Sequence, residues 1–148
     1  FSDNIYRKYR DDVSLFLEFL NKSDFIEASA KLGSLKQHIG KTALFYFLEG
    51  KYFLGIEKPD RAKESFRLSA GIMGNFWPAR FYFALSLAAT DSGRAMKEFM
   101  DCAELIEKEI DSGRNIYSFL LEGFDPAYFL HMCRKWHEKT RLLQHQKI

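Results

Sequence analysis

Ala62-Lys63-Glu64-Ser65-Phe66-Arg67-Leu68-Ser69 and Ala95-Met96-Lys97-Glu98-Phe99-Met100-Asp101-Cys102 share one frame. A small residue leads, a large aromatic follows four places on, and a small residue comes three beyond that. Ala28, Leu32 and Leu35 fit the same frame upstream, and the leading residues are 34 and then 33 positions apart. Spacings of three and four put these positions on one face of a helix. There the small residue admits a neighbouring helix and the large one fills the space between the two. A period in the thirties marks a chain of similar helical units that bury their apolar faces against one another.

The pattern extends to the helix before each repeat. Gly50 lies twelve residues before Ala62, with Phe53 three further on; Phe16 and Phe19 take these places in the first unit. In the third they fall near Phe83 or Ala84, and Leu87, because the loop is one residue shorter. A helical glycine costs about 1 kcal/mol relative to alanine, and a tight helix crossing is the usual reason to keep one. Apolar periodicity and end signals predict helices over Asn4–Asn21, Asp24–Ile39, Thr42–Gly55, Pro59–Met73, Trp77–Ala89, Gly93–Ser112 and Pro126–Gln144. The three prolines, Pro59, Pro78 and Pro126, sit in predicted first turns. Residues 113–124 read as a connector with a helical turn near Tyr117–Leu121. Val13 is the lone valine, which leaves little from which to build a sheet.

Two helices in about 34 residues resemble the tetratricopeptide repeat. Gly50, Ala62 and Phe66 stand at its consensus positions in one unit, and Ala95 and Phe99 in the next. The consensus proline closing each unit is missing, and Phe16 stands where the first unit would carry a small residue. The resemblance covers roughly residues 11–110. It implies an all-α fold: a right-handed superhelix of about three helix pairs, then a linker and C-terminal capping helix over 113–148, in a single domain.

A narrower resemblance lies in the second half. Trp77-Pro78-Ala79-Arg80-Phe81-Tyr82-Phe83-Ala84-Leu85, then Gly93-Arg94-Ala95 with Phe99 and Ala103-Glu104-Leu105-Ile106, is similar to the C-terminal tetratricopeptide domain of CheR-type chemotaxis methyltransferases. Ser118-Phe119-Leu120-Leu121-Glu122-Gly123-Phe124-Asp125, with Tyr128, Phe129 and Cys133, resembles that domain's closing segment. Arg80 departs from the histidine frequent in the family, and Ala84 from a longer residue. The resemblance implies a parent enzyme that transfers methyl groups from S-adenosylmethionine to chemoreceptor glutamates. This chain would be its non-catalytic regulatory or partner-binding part, cut from a longer protein whose catalytic domain precedes Phe1. A free-standing adaptor in secretion or pilus assembly is the alternative.

Composition narrows the function classes. Hydrophobic residues make up 47% of the 148, enough to bury a core. A net charge of +2 lacks the excess expected of a dedicated nucleic-acid binder. Two cysteines form no disulfide framework, which points to a reducing, cytoplasmic setting. The longest apolar run, Ala43 to Leu48, is far too short to span a membrane, and no signal peptide opens the sequence.

No catalytic, cofactor or metal site emerges. His131, Cys133 and His137 are close in sequence, but on a helix only Cys133 and His137 share a face. Glu104, Glu107 and Glu109 beside Lys108 read as a solvated face with helical ion pairs. Gly40-Lys41-Thr42 lacks the first glycine of a phosphate loop, and Gly40 reads as a helix stop. What remains is a recognition surface on the first helix of each pair: Tyr46, Phe47, Lys51 and Leu54 in the second unit, and Arg80, Phe81, Tyr82 and Leu85, with Ala88, in the third. An aromatic groove edged by Lys51 and Arg80 is expected to hold an acidic protein segment. The competing occupant is the last helix, whose stripe Tyr128, Phe129, Met132, Cys133 and Trp136 must be buried somewhere.

Overall fold

The structure, a computed structural model, describes the backbone of residues 3–146 and the side chains of residues 7–146. The opening Phe1-Ser2 lies outside the described residues. Among these residues the chain forms α1 (Asp3–Asn21), α2 (Phe25–Ile39), α3 (Ala43–Gly55), α4 (Pro59–Ile72), α5 (Trp77–Leu87), α6 (Ser92–Asp111), a 3-10 turn (Ser118–Leu120) and α7 (Pro126–Gln146), with no strand. The all-helical expectation holds, and helix ends agree with the predicted ones to within two residues. The connector carries its helical turn inside Tyr117–Leu121, as its sequence suggested.

The chain divides into two compact units, Phe1–Met73 and Gly74–Ile148. In the first, α1 packs on α2, α2 on α3 and α3 on α4; in the second, α5 packs on α6 and α6 on α7.

The helix turns have an assignable chemistry. Asp24, Thr42 and Asp91 cap α2, α3 and α6 by accepting the backbone N–H of Glu27, Phe45 and Arg94. Three helices end in a left-handed residue followed by an N–H that reaches back to the last turn. Asp24 N donates to Phe19 O at 2.8 Å, Lys58 N to Phe53 O at 2.8 Å, and Arg114 N to Glu109 O at 3.2 Å. Glycine takes the left-handed position only after α6, as Gly113 at φ 72°. Ser23 (φ 56°) and Glu57 (φ 61°), themselves 34 residues apart, adopt it at a steric cost.

The sequence repeat is a repeat of contacts. In the α3–α4 pair, the Phe47 and Phe66 rings lie 6.0 Å apart; in the α5–α6 pair, Phe81 and Phe99 lie 6.4 Å apart. Ser69 Oγ donates to the Ala43 carbonyl at 2.6 Å, and Cys102 Sγ to the Trp77 carbonyl at 3.5 Å. Each residue of the second set follows its counterpart by 34 or 33 places. Ala28, Ala62 and Ala95 are all fully buried. At Gly50, a Cβ would lie 2.6–2.8 Å from three ring atoms of Phe66, so the glycine admits the ring. Burying a Phe this completely contributes about 1.5–3 kcal/mol, a gain that depends on that close approach.

Candidate partner-binding surface

The eight candidate residues divide between the units. Tyr46, Phe47, Lys51 and Leu54 lie on α3 of the first; Arg80, Phe81, Tyr82 and Leu85 lie on α5 of the second. Two of them face inward. Phe47 is fully buried against Phe66, and Phe81 packs between Phe99 and Phe129 with 4% of its surface exposed. Neither ring lines an open groove, because each is the large side chain that its own helix pair closes around. Ala88 is likewise buried. Leu54 is exposed, while Tyr46, Lys51, Tyr82 and Leu85 are half-buried.

Arg80 also departs from its expected role. Its guanidinium reaches Glu98 Oε2 from Nε at 3.2 Å and from Nη2 at 3.1 Å, and Asp101 Oδ2 from Nη2 at 3.2 Å. Nη1 donates to the Gly74 carbonyl at 3.1 Å. These bonds tie α5 to α6 and to the residue entering the unit. Two carboxylates more than offset the one cation, so Arg80 gives no electropositive edge for an acidic segment.

The apolar stripe of the last helix is buried against α5 and α6 of the second unit. Phe129 packs on Trp77 at 5.4 Å and on Phe81 at 5.2 Å, and Trp136 stacks on Phe99 at 6.2 Å. Cys133 is fully buried beneath them. Tyr128 points out instead and stacks on the exposed Phe124 at 4.6 Å. Ser92 Oγ donates to Gln144 Oε1 at 2.6 Å, which holds the far end of α7 to the start of α6.

The side chains with chemical potential are arranged for packing. Burial, followed by a hydrogen bond with the Cys133 thiol, holds the Cys102 thiol well above its ordinary range, so it is no ready nucleophile. Among the described residues, no three His, Cys, Asp or Glu side chains gather as metal ligands would. A cavity of about 350 Å³ opens between α6 and α7, with Phe99, Met100, Ala103 and Cys133 as its apolar wall and Glu104, Glu107, Arg134 and His137 around it. Arg134 pairs with Glu107 across it.

Glu109 is a further residue that sequence reasoning misplaced. Expected on a solvated face, it is 7% exposed. The buried stripe of α6 runs Ala95, Phe99, Cys102, Ile106 and then Glu109, while Ile110 is 39% exposed. The spacing of that stripe held the signal, which residue polarity concealed.

No protein-family model matches the chain, and no curated protein matches it by sequence. No described helix is long and apolar enough to cross a membrane.

Proposed function

We propose that the chain is a tetratricopeptide-type scaffold that binds another protein and performs no reaction itself. The repeated contact set supports this reading: Phe47–Phe66 with Ser69–Ala43, then Phe81–Phe99 with Cys102–Trp77 one period later. Helix pairs built to one pattern stack into right-handed superhelices that offer the first helix of each pair to a ligand. With Phe47 and Phe81 committed to packing, recognition falls to Tyr46, Lys51 and Leu54 on α3, and to Tyr82 and Leu85 on α5. Lys51 supplies the positive charge among these five that an acidic partner would require.

In the finer form of this proposal, the chain is the regulatory part of a chemotaxis-type methyltransferase, and its partner is a catalytic domain or a chemoreceptor. The resemblance of Trp77–Leu85, Gly93–Ile106 and Ser118–Cys133 carries that step. Titration calorimetry of the chain against a purified methyltransferase catalytic domain and a chemoreceptor signalling fragment tests it. Binding to one of them, weakened by Leu54→Asp with Lys51→Glu, is the expected result. Binding to neither rejects the methyltransferase reading. Affinity capture from the source cell, unchanged by the same double substitution, would reject the surface itself.

A further inference from the structure

Among the described residues of the second unit, Glu109 is the one strongly buried carboxylate, and it sits where three segments meet. Its Oε1 accepts the indole N–H of Trp77, the first residue of α5, at 3.3 Å. Its Oε2 is buried and has no hydrogen-bond partner among the described residues. Its backbone carbonyl accepts Arg114 N at 3.2 Å and Ser112 Oγ at 2.7 Å, the first bonds of the connector. Further along the connector, Tyr117 returns to the same place. It is 4% exposed, with its ring 6.0 Å from Trp77 and 5.1 Å from Phe76.

We propose that Glu109 is a proton-operated latch: protonated, it lets the start of α5, the end of α6 and residues 112–125 close on one another, and ionised, it loosens that connector.

The groups around it leave the ionised form poorly compensated. From α5 comes one indole N–H, a neutral donor. From the connector comes Tyr117, the titratable group that faces it. α7 contributes the Phe129 ring, seated behind Trp77. Among the described residues, no Lys, Arg or His is bridged to Glu109, and its neighbours Lys108 and Asp111 are exposed. A buried carboxylate with one weak donor and no counter-ion is costly, whereas the neutral acid is tolerated. Burial raises the Glu109 carboxyl above its ordinary value of 4.5, against the smaller lowering effect of Trp77. Tyr117 is pushed up to about 12, by its own burial first and then by the Glu109 charge.

The sign follows from linkage. A carboxyl raised in the folded state binds more protons there than when unfolded, so its contribution is fully present below 4.5 and is lost as pH rises through the raised value. Because Trp77 touches Phe129, loosening at Glu109 reaches the first turn of α7.

Amide hydrogen exchange on the full chain from pH 5 to pH 8, corrected for intrinsic rates, tests the latch. In the wild type, protection within 112–125 should fall as pH rises, while α3 in the other unit stays level. Glu109→Gln should remove the pH dependence and keep the connector protected throughout. A level wild-type profile, or the same slope in Glu109→Gln, overturns the proposal. Should Glu109→Gln fail to fold, Glu109→Leu and carboxyl-carbon NMR of the wild type serve instead. Titration of Glu109 in the ordinary carboxylate range overturns the latch, and titration above it, with a protected connector in Glu109→Leu, supports it.

Discussion

Glycine-to-alanine substitution at two helical positions should move stability in opposite directions. Gly33 lies in the middle of α2, exposed, with nothing within 4 Å of an added Cβ. Alanine there should simply gain helix propensity, about 1 kcal/mol. Gly50 in α3 would gain the same amount, but its Cβ would meet Phe66 at 2.6–2.8 Å. Phe66 is fully buried and rests on Phe47, so its ring has little room to retreat. Overpacking of this kind costs about 1–3 kcal/mol, which leaves Gly50→Ala destabilised by about 1 kcal/mol net. For a chain of this size, 1 kcal/mol moves the melting temperature by about 3 °C. Circular dichroism melts should therefore place Gly33→Ala about 3 °C above the wild type and Gly50→Ala about 3 °C below it. Phe66→Leu should partly relieve Gly50→Ala, with a coupling on the order of 1 kcal/mol in the double-mutant cycle. If both alanine variants stabilise equally, Gly50 does not hold a helix crossing and the small-to-large packing rule proposed for the repeat fails.

Substitutions at three further positions probe other parts of the account. Arg80→Ala strands the carboxylates of Glu98 and Asp101, which are partly screened, and should cost about 1–3 kcal/mol in urea unfolding; Arg80→Lys should recover only part, since one ammonium cannot reproduce the guanidinium's spread of donors. Glu57→Gly should stabilise by about 1 kcal/mol in the same assay, because glycine accepts the left-handed backbone after α3 without the Cβ penalty. Asp91→Ala should cost about 1 kcal/mol through loss of the α6 cap, seen as faster amide exchange in the first turn of that helix.

Much of the fold was legible because its signals are local. Apolar spacing, end signals and first-turn prolines located the helices of the described residues, and the Ala–Phe frame predicted which faces would bury. The candidate surface was less legible, because the same periodicity governs packing and display. Phe47 and Phe81 lie on the first helix of their pairs, as a ligand-facing residue would, yet their bulk is what α4, α6 and α7 close around. Arg80 looked like a free cation because its two carboxylates, Glu98 and Asp101, are eighteen and twenty-one residues away in sequence. Glu109 was misread for the opposite reason: its polarity outweighed its position on the buried stripe, where Trp77 and Tyr117 converge on it.

Nuclear Overhauser spectroscopy on the full chain with selectively labelled phenylalanine tests the repeated helix pair most directly. Ring-to-ring contacts should appear for both Phe47–Phe66 and Phe81–Phe99, with Ala62 and Ala95 methyl groups shielded from water alike. One ring pair present without the other, or water-exposed Ala62 or Ala95 methyls, would contradict a repeat and leave an irregular helical bundle in its place.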